Sequence, residues 1–237
     1  MRRTVSIARK ISSTLLSVVL VTGLLPIPAV ATSPGETEET QVASLSALDS
    51  TSIDATLTEG WTKCGTCEWQ IDGDGKLTVR PLGGAGEGRT GTLDTWRVSA
   101  APWASKASSI KSVVIEQGVS AQTCMSMFQD CANLTSVNLS GLDTSAVTSM
   151  YYMFGRCTSL TFVSLAGLST PKLADMNCMF AYSTSLKSVD FGSINTSSVT
   201  NMSFMFDGCS SLEAIDLSGL NTSAVKDTRY MLRNCQT

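Results

Sequence analysis

Histidine is absent from all 237 residues, and charged residues make up only 16% of the chain. Without histidine there is no imidazole base for a Ser-His-Asp or Cys-His site, and the commonest ligand of catalytic zinc is missing. An enzyme of this composition would depend on carboxylate pairs, lysines or metals placed by a cleft. The composition therefore predicts a protein that is not an enzyme, and we expect no cofactor and no metal site.

Long apolar runs are scarce, and the one at the start of the chain is typical of export. It extends from Ile11 to Ile27 after four basic residues, and Ala29-Val30-Ala31 supplies the small residues that signal peptidase requires. A retained membrane anchor is the alternative, which Pro26 and Pro28 disfavour because they break a helix near its end. We predict a signal peptide at 1–31, a secreted or cell-surface location, and no transmembrane segment after cleavage.

Removal of the signal peptide changes the charge balance of the chain. It leaves 13 basic and 20 acidic residues, a net charge of −7. An acidic mature chain argues against nucleic acid or an anionic membrane as a partner. Residues 32–58 are rich in Ser, Thr and acidic side chains and contain no aromatic residue, which predicts a disordered linker.

Residues 59–108 have a different pattern. Apolar and polar residues alternate over 68–71 and again over 76–80, on either side of Asp72-Gly73-Asp74-Gly75. This pattern predicts a β-hairpin. Besides Trp69 in the first alternating segment, Trp61, Trp96 and Trp103 supply bulky apolar side chains for a core. We therefore predict a small β-rich N-terminal capping unit at 59–108.

Residues 109–237 form a repeat array. A 26-residue unit occurs four times without insertion, at 132–157, 158–183, 184–209 and 210–235, after a shorter version at 110–131. Each unit opens with the pattern of Leu134-x-x-Val137-x-Leu139, which predicts a short strand with one face inward. Stacked units would align these strands into a parallel sheet.

The second half of each unit contains apolar residues spaced as in Met150-x-x-Met153-Phe154. Spacings of three and four predict one face of a short helix. Ser149 precedes this segment, and Asp175, Asn201 and Asp227 stand at the same place in the other units, all of them good helix N-caps. The predicted fold is an α/β repeat solenoid of the leucine-rich-repeat kind, with a parallel sheet on one face and short helices on the other.

The repeat pattern resembles the BspA-like leucine-rich-repeat surface proteins of bacteria and the related lipoprotein repeats of mycoplasmas. The core NTS…VTNM…MF…C, present at 195–209, carries the resemblance. It implies a surface location and, for some members, adhesion to matrix glycoproteins such as fibronectin or fibrinogen. We expect the partner to be an extracellular protein or glycan. The alternative is a non-catalytic structural or assembly module that self-associates through its C-terminal repeat, which ends without a polar cap.

Two sets of residues are candidates for contact with a ligand. The first lies on the predicted strands and points away from the core: Ser136, Asn138, Phe162, Ser164, Ser188, Asp190 and Asp216. A merely solvated face is the alternative, although it leaves the exposed Phe162 unexplained. The second set is an aromatic stripe of Tyr152, Phe204 and Tyr230, which would grip a partner. Packing between neighbouring units is the alternative for this stripe.

Cysteine recurs at one repeat position, as Cys131, Cys157, Cys209 and Cys235, with Ser183 replacing the third member. Parallel Cβ vectors in stacked units are too far apart for relaxed disulfides, which favours a column of buried thiols. For Cys64-x-x-Cys67 the pattern leaves open a local disulfide, inert thiols, redox activity or metal binding. It also leaves open whether Cys124 and Cys178 pair.

Overall fold

The structure is a computed structural model that describes residues 59–84, 86–97 and 101–235. The predicted signal peptide and linker lie outside these residues. One short 3₁₀ helix, Ala104–Ser109, accompanies ten strands. The strands are β1 (Thr62–Cys64), β2 (Cys67–Ile71), β3 (Lys76–Pro81), β4 (Gly91–Thr92), β5 (Ser112–Ile115), β6 (Val119–Ser120), β7 (Ser136–Asn138), β8 (Leu142–Asp143), β9 (Phe162–Ser164) and β10 (Ser188–Asp190).

The hairpin predicted between residues 68 and 80 is formed by β2 and β3, which pair antiparallel. Its turn is held by Asp72, whose Oδ1 accepts the N–H groups of Asp74 at 3.0 Å and Lys76 at 2.9 Å. On its other side β3 pairs parallel with β5, the first strand of the repeat array. The hairpin therefore provides the surface on which the first repeat stacks.

The repeats form a solenoid in which each unit is one coil. Strands β5 and β7 continue the hairpin sheet in the order β1-β2-β3-β5-β7, β9 and β10 form a separate parallel pair, and β4-β6-β8 make a small sheet at the following corner. The single continuous sheet of the prediction is thus divided between β7 and β9. The described part of 210–235 contains no strand, and this coil joins its neighbour through a parallel bridge between Asn201 and Asp227.

The predicted helices on the opposite face are wrong, because two consecutive turns occupy each of these segments. In 132–157 the first turn closes with the Met153 N–H bonded to the Met150 carbonyl at 3.2 Å, and the second with Cys157 bonded to Phe154 at 3.4 Å. Tyr152, in the third position of the first turn, has a φ of 53°. Such a φ is what a type II turn requires at this position and what an α-helix excludes.

The hydrogen bonds of this turn wall explain why no helix forms. The N–H groups of Met150, Tyr152 and Phe154 donate to carbonyls of the next coil, at 2.9, 3.1 and 2.8 Å. They are thus satisfied between coils instead of within the segment, and a helix of so few residues has little stability of its own. Ser149 still caps its segment, because its Oγ accepts the N–H of Tyr151 at 3.1 Å. The apolar residues point inward in either conformation.

A column of stacked aromatic rings forms the core. Trp103, Phe128, Phe154, Phe180 and Phe206 follow one another with ring centroids 5.3–6.1 Å apart, and all are completely buried. Trp103 ends the column at the hairpin unit, and its indole N–H donates to the Met127 carbonyl at 2.7 Å. One ring from each unit between 110 and 209 therefore makes the core continuous along that part of the array, and the 210–235 unit carries the exposed Leu232 at this position.

Two buried polar columns run beside the aromatic one. The Cys157 thiol and the Ser183 hydroxyl donate to the carbonyls of Phe128 and Phe154 in the preceding coil, at 3.1 and 2.6 Å. In a second column Thr170 donates to the Asn195 carbonyl at 3.0 Å and accepts the Asn195 N–H at 2.8 Å. Thr196, the middle residue of the NTS motif at 195–197, makes the same two bonds to Asn221, at 3.1 and 2.7 Å. This threonine position thus satisfies backbone groups of the neighbouring coil.

Candidate functional site

The sheet-face candidates lie on the outside of the coils, as the alternation predicts. Phe162 is the most exposed large side chain among them, at 51%. It stands opposite Ser188 in the parallel register of β9 and β10, where Ser164 stands opposite Asp190. The Ser164 hydroxyl donates to the Asp190 carboxylate at 2.8 Å, so this pair forms one polar cluster. Ser136 lies on β7, in register with Ser112 of β5.

Four of these residues also have a local structural role. Each accepts the backbone N–H two residues along the chain, which closes the turn after the strand. The acceptors are Asn138, Ser164, Asp190 and Asp216, at 3.0, 3.3, 2.9 and 2.9 Å. The bond from Ser218 also lowers the pKa of Asp216 below its usual range. A turn-closing role accounts for this row without a ligand, and its part in binding stays a prediction.

The aromatic stripe lies on the turn wall, at positions with left-handed backbone. Tyr152, Phe204 and Tyr230 have φ values of 53°, 57° and 56°, and Cys178 has 55° at the same position of the remaining unit. Large side chains are uncommon outliers in this region, where glycine and asparagine are favoured. Each such residue costs about 1–3 kcal/mol of backbone strain. The aromatic residues are therefore kept at positions that the local backbone does not favour.

Around the last two rings a cluster of charged residues has formed. The Phe204 and Tyr230 rings are 5.1 Å apart, and the Arg233 guanidinium lies 5.4 and 4.8 Å from their centroids. Arg233 also donates to both carboxylate oxygens of the buried Asp207, at 2.9 and 2.5 Å. This hydrogen-bonded ion pair lowers the pKa of Asp207. Phe204 and Tyr230 thus pack between coils, yet Tyr230 remains 56% exposed.

A groove of about 360 Å³ opens on the turn wall beside this cluster. Cys178 and Ala181 line it together with the Tyr182 and Phe204 rings, and its polar residues are Asn177, Asn201, Ser203, Asp207, Asp227 and Arg229. Its volume lies within the range of small-molecule sites, and so does its combination of aromatic walls and a few polar groups. Of the stripe residues, only Phe204 contributes to this groove.

The C-x-x-C pair belongs to the hairpin unit. Cys64 and Cys67 face each other in the antiparallel register of β1 and β2, and both are free and buried. Burial, together with the neighbouring Cys64 and Asp94, raises the pKa of the Cys67 thiol to about 12. A thiol that stays protonated at neutral pH is a poor nucleophile. All eight cysteines of the chain lie among the described residues, and all are free.

Among the described residues, no three carboxylate or thiol side chains lie close enough together to hold a metal ion. No helix within 59–84, 86–97 or 101–235 has the length and apolar character needed to cross a membrane.

Several residues of the turn wall escape detection by repeat analysis. Tyr182, Asp207 and Arg233 occupy positions where the other units carry unrelated residues, so the consensus does not select them. Tyr182 is 42% exposed, and its equivalents are Arg156, Gly208 and Asn234. The sequence signal that could have found them is the departure from the repeat consensus, because each of these residues differs from its equivalents in the other units.

Comparison with known proteins gives a family and two similar folds. A leucine-rich repeat protein from Eubacterium ventriosum is 19% identical over 67% of this chain and 43% of its own, with a TM-score of 0.35. This chain therefore spans less than half of that protein. The T. pallidum leucine-rich repeat protein TpLRR is 15% identical over 68% of this chain and 83% of its own, with a TM-score of 0.31. No curated protein matches the sequence.

The family match covers the repeat array. The family described as "Mycoplasma protein of unknown function, DUF285" matches residues 105–185 and 161–237, which together are more than half of the chain. The matched segments contain the four phenylalanines of the aromatic column but not Trp103, which ends it. The chain therefore belongs to this family.

Proposed function

We propose that this chain is an exported, non-catalytic cell-surface protein whose repeat surface binds an extracellular host or matrix glycoprotein or glycan. A protein-binding or structural role of the repeat surface is the broader part of the proposal, and adhesion is the finer part. The resemblance to BspA-like surface proteins and the signal-like N-terminus support the surface location. The missing histidines support the absence of catalysis.

One observation carries the proposal, namely the exposed aromatic side chains on the turn wall. Tyr182 and Tyr230 are 42% and 56% exposed, and the Tyr230 position has left-handed backbone. A solvated wall has no need of aromatic residues at strained positions, whereas aromatic residues dominate the contact energy of binding surfaces. The coil-to-coil hydrogen bonds hold these rings on a rigid support, which lowers the entropy that binding would cost.

The turn wall is a better candidate for the contact surface than the sheet face. Four of the seven sheet-face candidates close turns, and Phe162 is the only exposed large apolar residue in that set. The turn wall combines several rings with arginine and carboxylate groups. Aromatic and arginine side chains are the ones enriched at the centre of protein interfaces.

A binding screen tests the proposal. The purified chain would be applied to immobilised fibronectin, fibrinogen, collagen, mucin and neutral glycans, with its oligomeric state measured by light scattering. We expect saturable binding to one of these, reduced at least tenfold by Tyr230→Ser and unchanged by Phe162→Ser. Loss of binding in the Phe162 variant alone would assign the contact to the sheet face.

The assembly alternative has a distinct result in the same experiment. A chain that binds none of these ligands but forms oligomers with increasing concentration would be a structural module, and the adhesion proposal would be rejected. A monomer with saturable binding would reject the assembly role.

A further inference from the structure

The groove on the turn wall lies where one ring is missing from the aromatic stripe. Cys178 occupies the repeat position that carries Tyr152 in the preceding coil and Phe204 in the following one. Equivalent residues of neighbouring coils are about 4.8 Å apart, so the replaced side chain leaves a space one coil thick. Cys178 and Ala181 line this space, and the Tyr182 and Phe204 rings form its walls.

We propose that this groove binds one pyranose ring of a neutral glycan. The proposal rests on the proposed binding function and assigns it a site and a ligand class. A pyranose has a face of C–H groups that packs on an aromatic ring and an edge of hydroxyls that need hydrogen-bond partners. Within the stripe, Phe204 and Tyr230 already pack at 5.1 Å. A sugar ring over Cys178 would extend this stack by one member on the other side of Phe204.

The rim of the groove supplies the hydrogen-bond partners. The Asn177 amide is fixed by donating to the carbonyl and hydroxyl oxygens of Ser203, at 2.7 and 2.6 Å. The backbone carbonyl of Asn177 accepts the Tyr152 N–H, whereas its side-chain Oδ1 accepts no hydrogen bond from any described residue. Arg229 is held planar against Asp227 by bonds of 2.8–3.1 Å, and its side chain is 76% exposed. A guanidinium has five N–H donors, so Arg229 retains donors for sugar hydroxyls.

The charges of the groove favour an uncharged ligand. Asp207 is neutralised by Arg233, and Asp227 is neutralised by Arg229. A sialic acid or uronic acid carboxylate would have to compete with these aspartates for the same arginines. An aromatic side chain of a peptide would fill the space equally well, but it would leave the Asn177 and Arg229 groups without partners.

Two variants at position 178 test the site. The purified chain would be titrated calorimetrically with neutral tetrasaccharides of glucose, galactose, mannose or N-acetylglucosamine. Cys178→Tyr introduces the ring that Tyr152 supplies in the preceding coil. This ring would fill the groove, so the substitution should weaken glycan binding at least tenfold. Cys178→Ser is the matched control, because Ser126 occupies this position in the first coil, and it should bind within twofold of the unmodified chain.

A measurement without substitution makes the test independent of folding. Cys178 and Cys235 are both half-buried free thiols. Bound tetrasaccharide should slow the alkylation of Cys178 by iodoacetamide at least fivefold and leave the rate at Cys235 unchanged, as followed by peptide mass spectrometry.

The outcomes separate this inference from the proposed function. Glycan binding that persists in Cys178→Tyr, with no protection of Cys178, would overturn the groove assignment and leave adhesion standing. Preference for a sialylated glycan or for a peptide with an aromatic side chain would overturn the ligand class. If the chain binds neither glycans nor matrix proteins, the proposed function itself fails.

Discussion

Ser183 shows at the residue scale why one position of the repeat accepts both cysteine and serine. Its buried hydroxyl donates to the Phe154 carbonyl at 2.6 Å and accepts the Cys157 N–H at 3.2 Å. The thiols of Cys157, Cys209 and Cys235 make the same bond to a phenylalanine carbonyl, so these members of the column are hydrogen-bond donors as well as small apolar side chains. The repeat pattern identifies the column, but the direction of these bonds depends on the path of the turn wall.

We expect Ser183→Ala to lower the free energy of unfolding by about 1–3 kcal/mol, because two buried backbone groups lose a partner. Ser183→Cys should lose less, since the thiol keeps the bond to Phe154. Urea unfolding followed by circular dichroism measures both. Equal stability of Ser183→Ala and the unmodified chain would show that the column contributes only packing.

The Asp207–Arg233 pair gives stability a dependence on pH. The folded-state pKa of Asp207 is lowered by the hydrogen bonds from Arg233. Its stabilising contribution is therefore fully present above the unfolded pKa of about 3.9 and is lost as the pH falls through the lowered value. We expect the urea midpoint of the unmodified chain to decrease between about pH 5 and pH 3, and the decrease to be smaller in Asp207→Asn. Parallel curves for the two chains would contradict this.

The turn wall shows at the scale of elements what a periodic sequence leaves undetermined. Met150, Met153 and Phe154 point inward whether the segment is a helix or two turns, so their spacing predicts the core but not the backbone. The capping residues are equally ambiguous, because Asp175 accepts the N–H of Asn177 at 3.0 Å in a turn as it would in a helix. Strands β7, β9 and β10 and the hairpin were predictable because alternation has no competing explanation there. The same pattern in 210–235 predicts a strand that does not form.

A glycine substitution tests the turn geometry directly. Ser126 is the first member of the left-handed column, with a φ of 53°, and its buried hydroxyl lacks a hydrogen-bond partner. Ser126→Gly removes both costs and should raise the free energy of unfolding by about 1 kcal/mol, after the greater chain entropy of glycine is deducted. Ser203→Gly is the control. Its hydroxyl is bonded to Asn201 and its φ is not left-handed, so it should destabilise. Destabilisation by both would indicate a helical segment.

At the scale of the whole molecule, the candidate site follows from breaks in the repeat. The regular coils provide the rigid scaffold, and their periodicity makes the aromatic column and the stripe predictable. The groove depends on Cys178, Tyr182 and Arg229, which differ from their repeat equivalents. A repeat consensus does not contain such residues. The repeat pattern therefore predicts the groove less well than any other part of the array.

Trp103 joins the two parts of the structure, and its replacement tests how stability is shared between them. Its ring stacks on Phe128, packs against Trp69 and Trp96, and bonds to the Met127 carbonyl. In a solenoid each coil is stabilised mainly by its neighbours, so damage at one end spreads inward from that end. Trp103→Ala should cost about 3–5 kcal/mol and raise amide hydrogen exchange most in 110–131 and least in 184–209. Phe180→Ala, at the centre of the array, should instead raise amide hydrogen exchange in the coils on both of its sides. A uniform rise of exchange after either substitution would show that the array unfolds as one cooperative unit, and that the hairpin unit does not act as a separate cap.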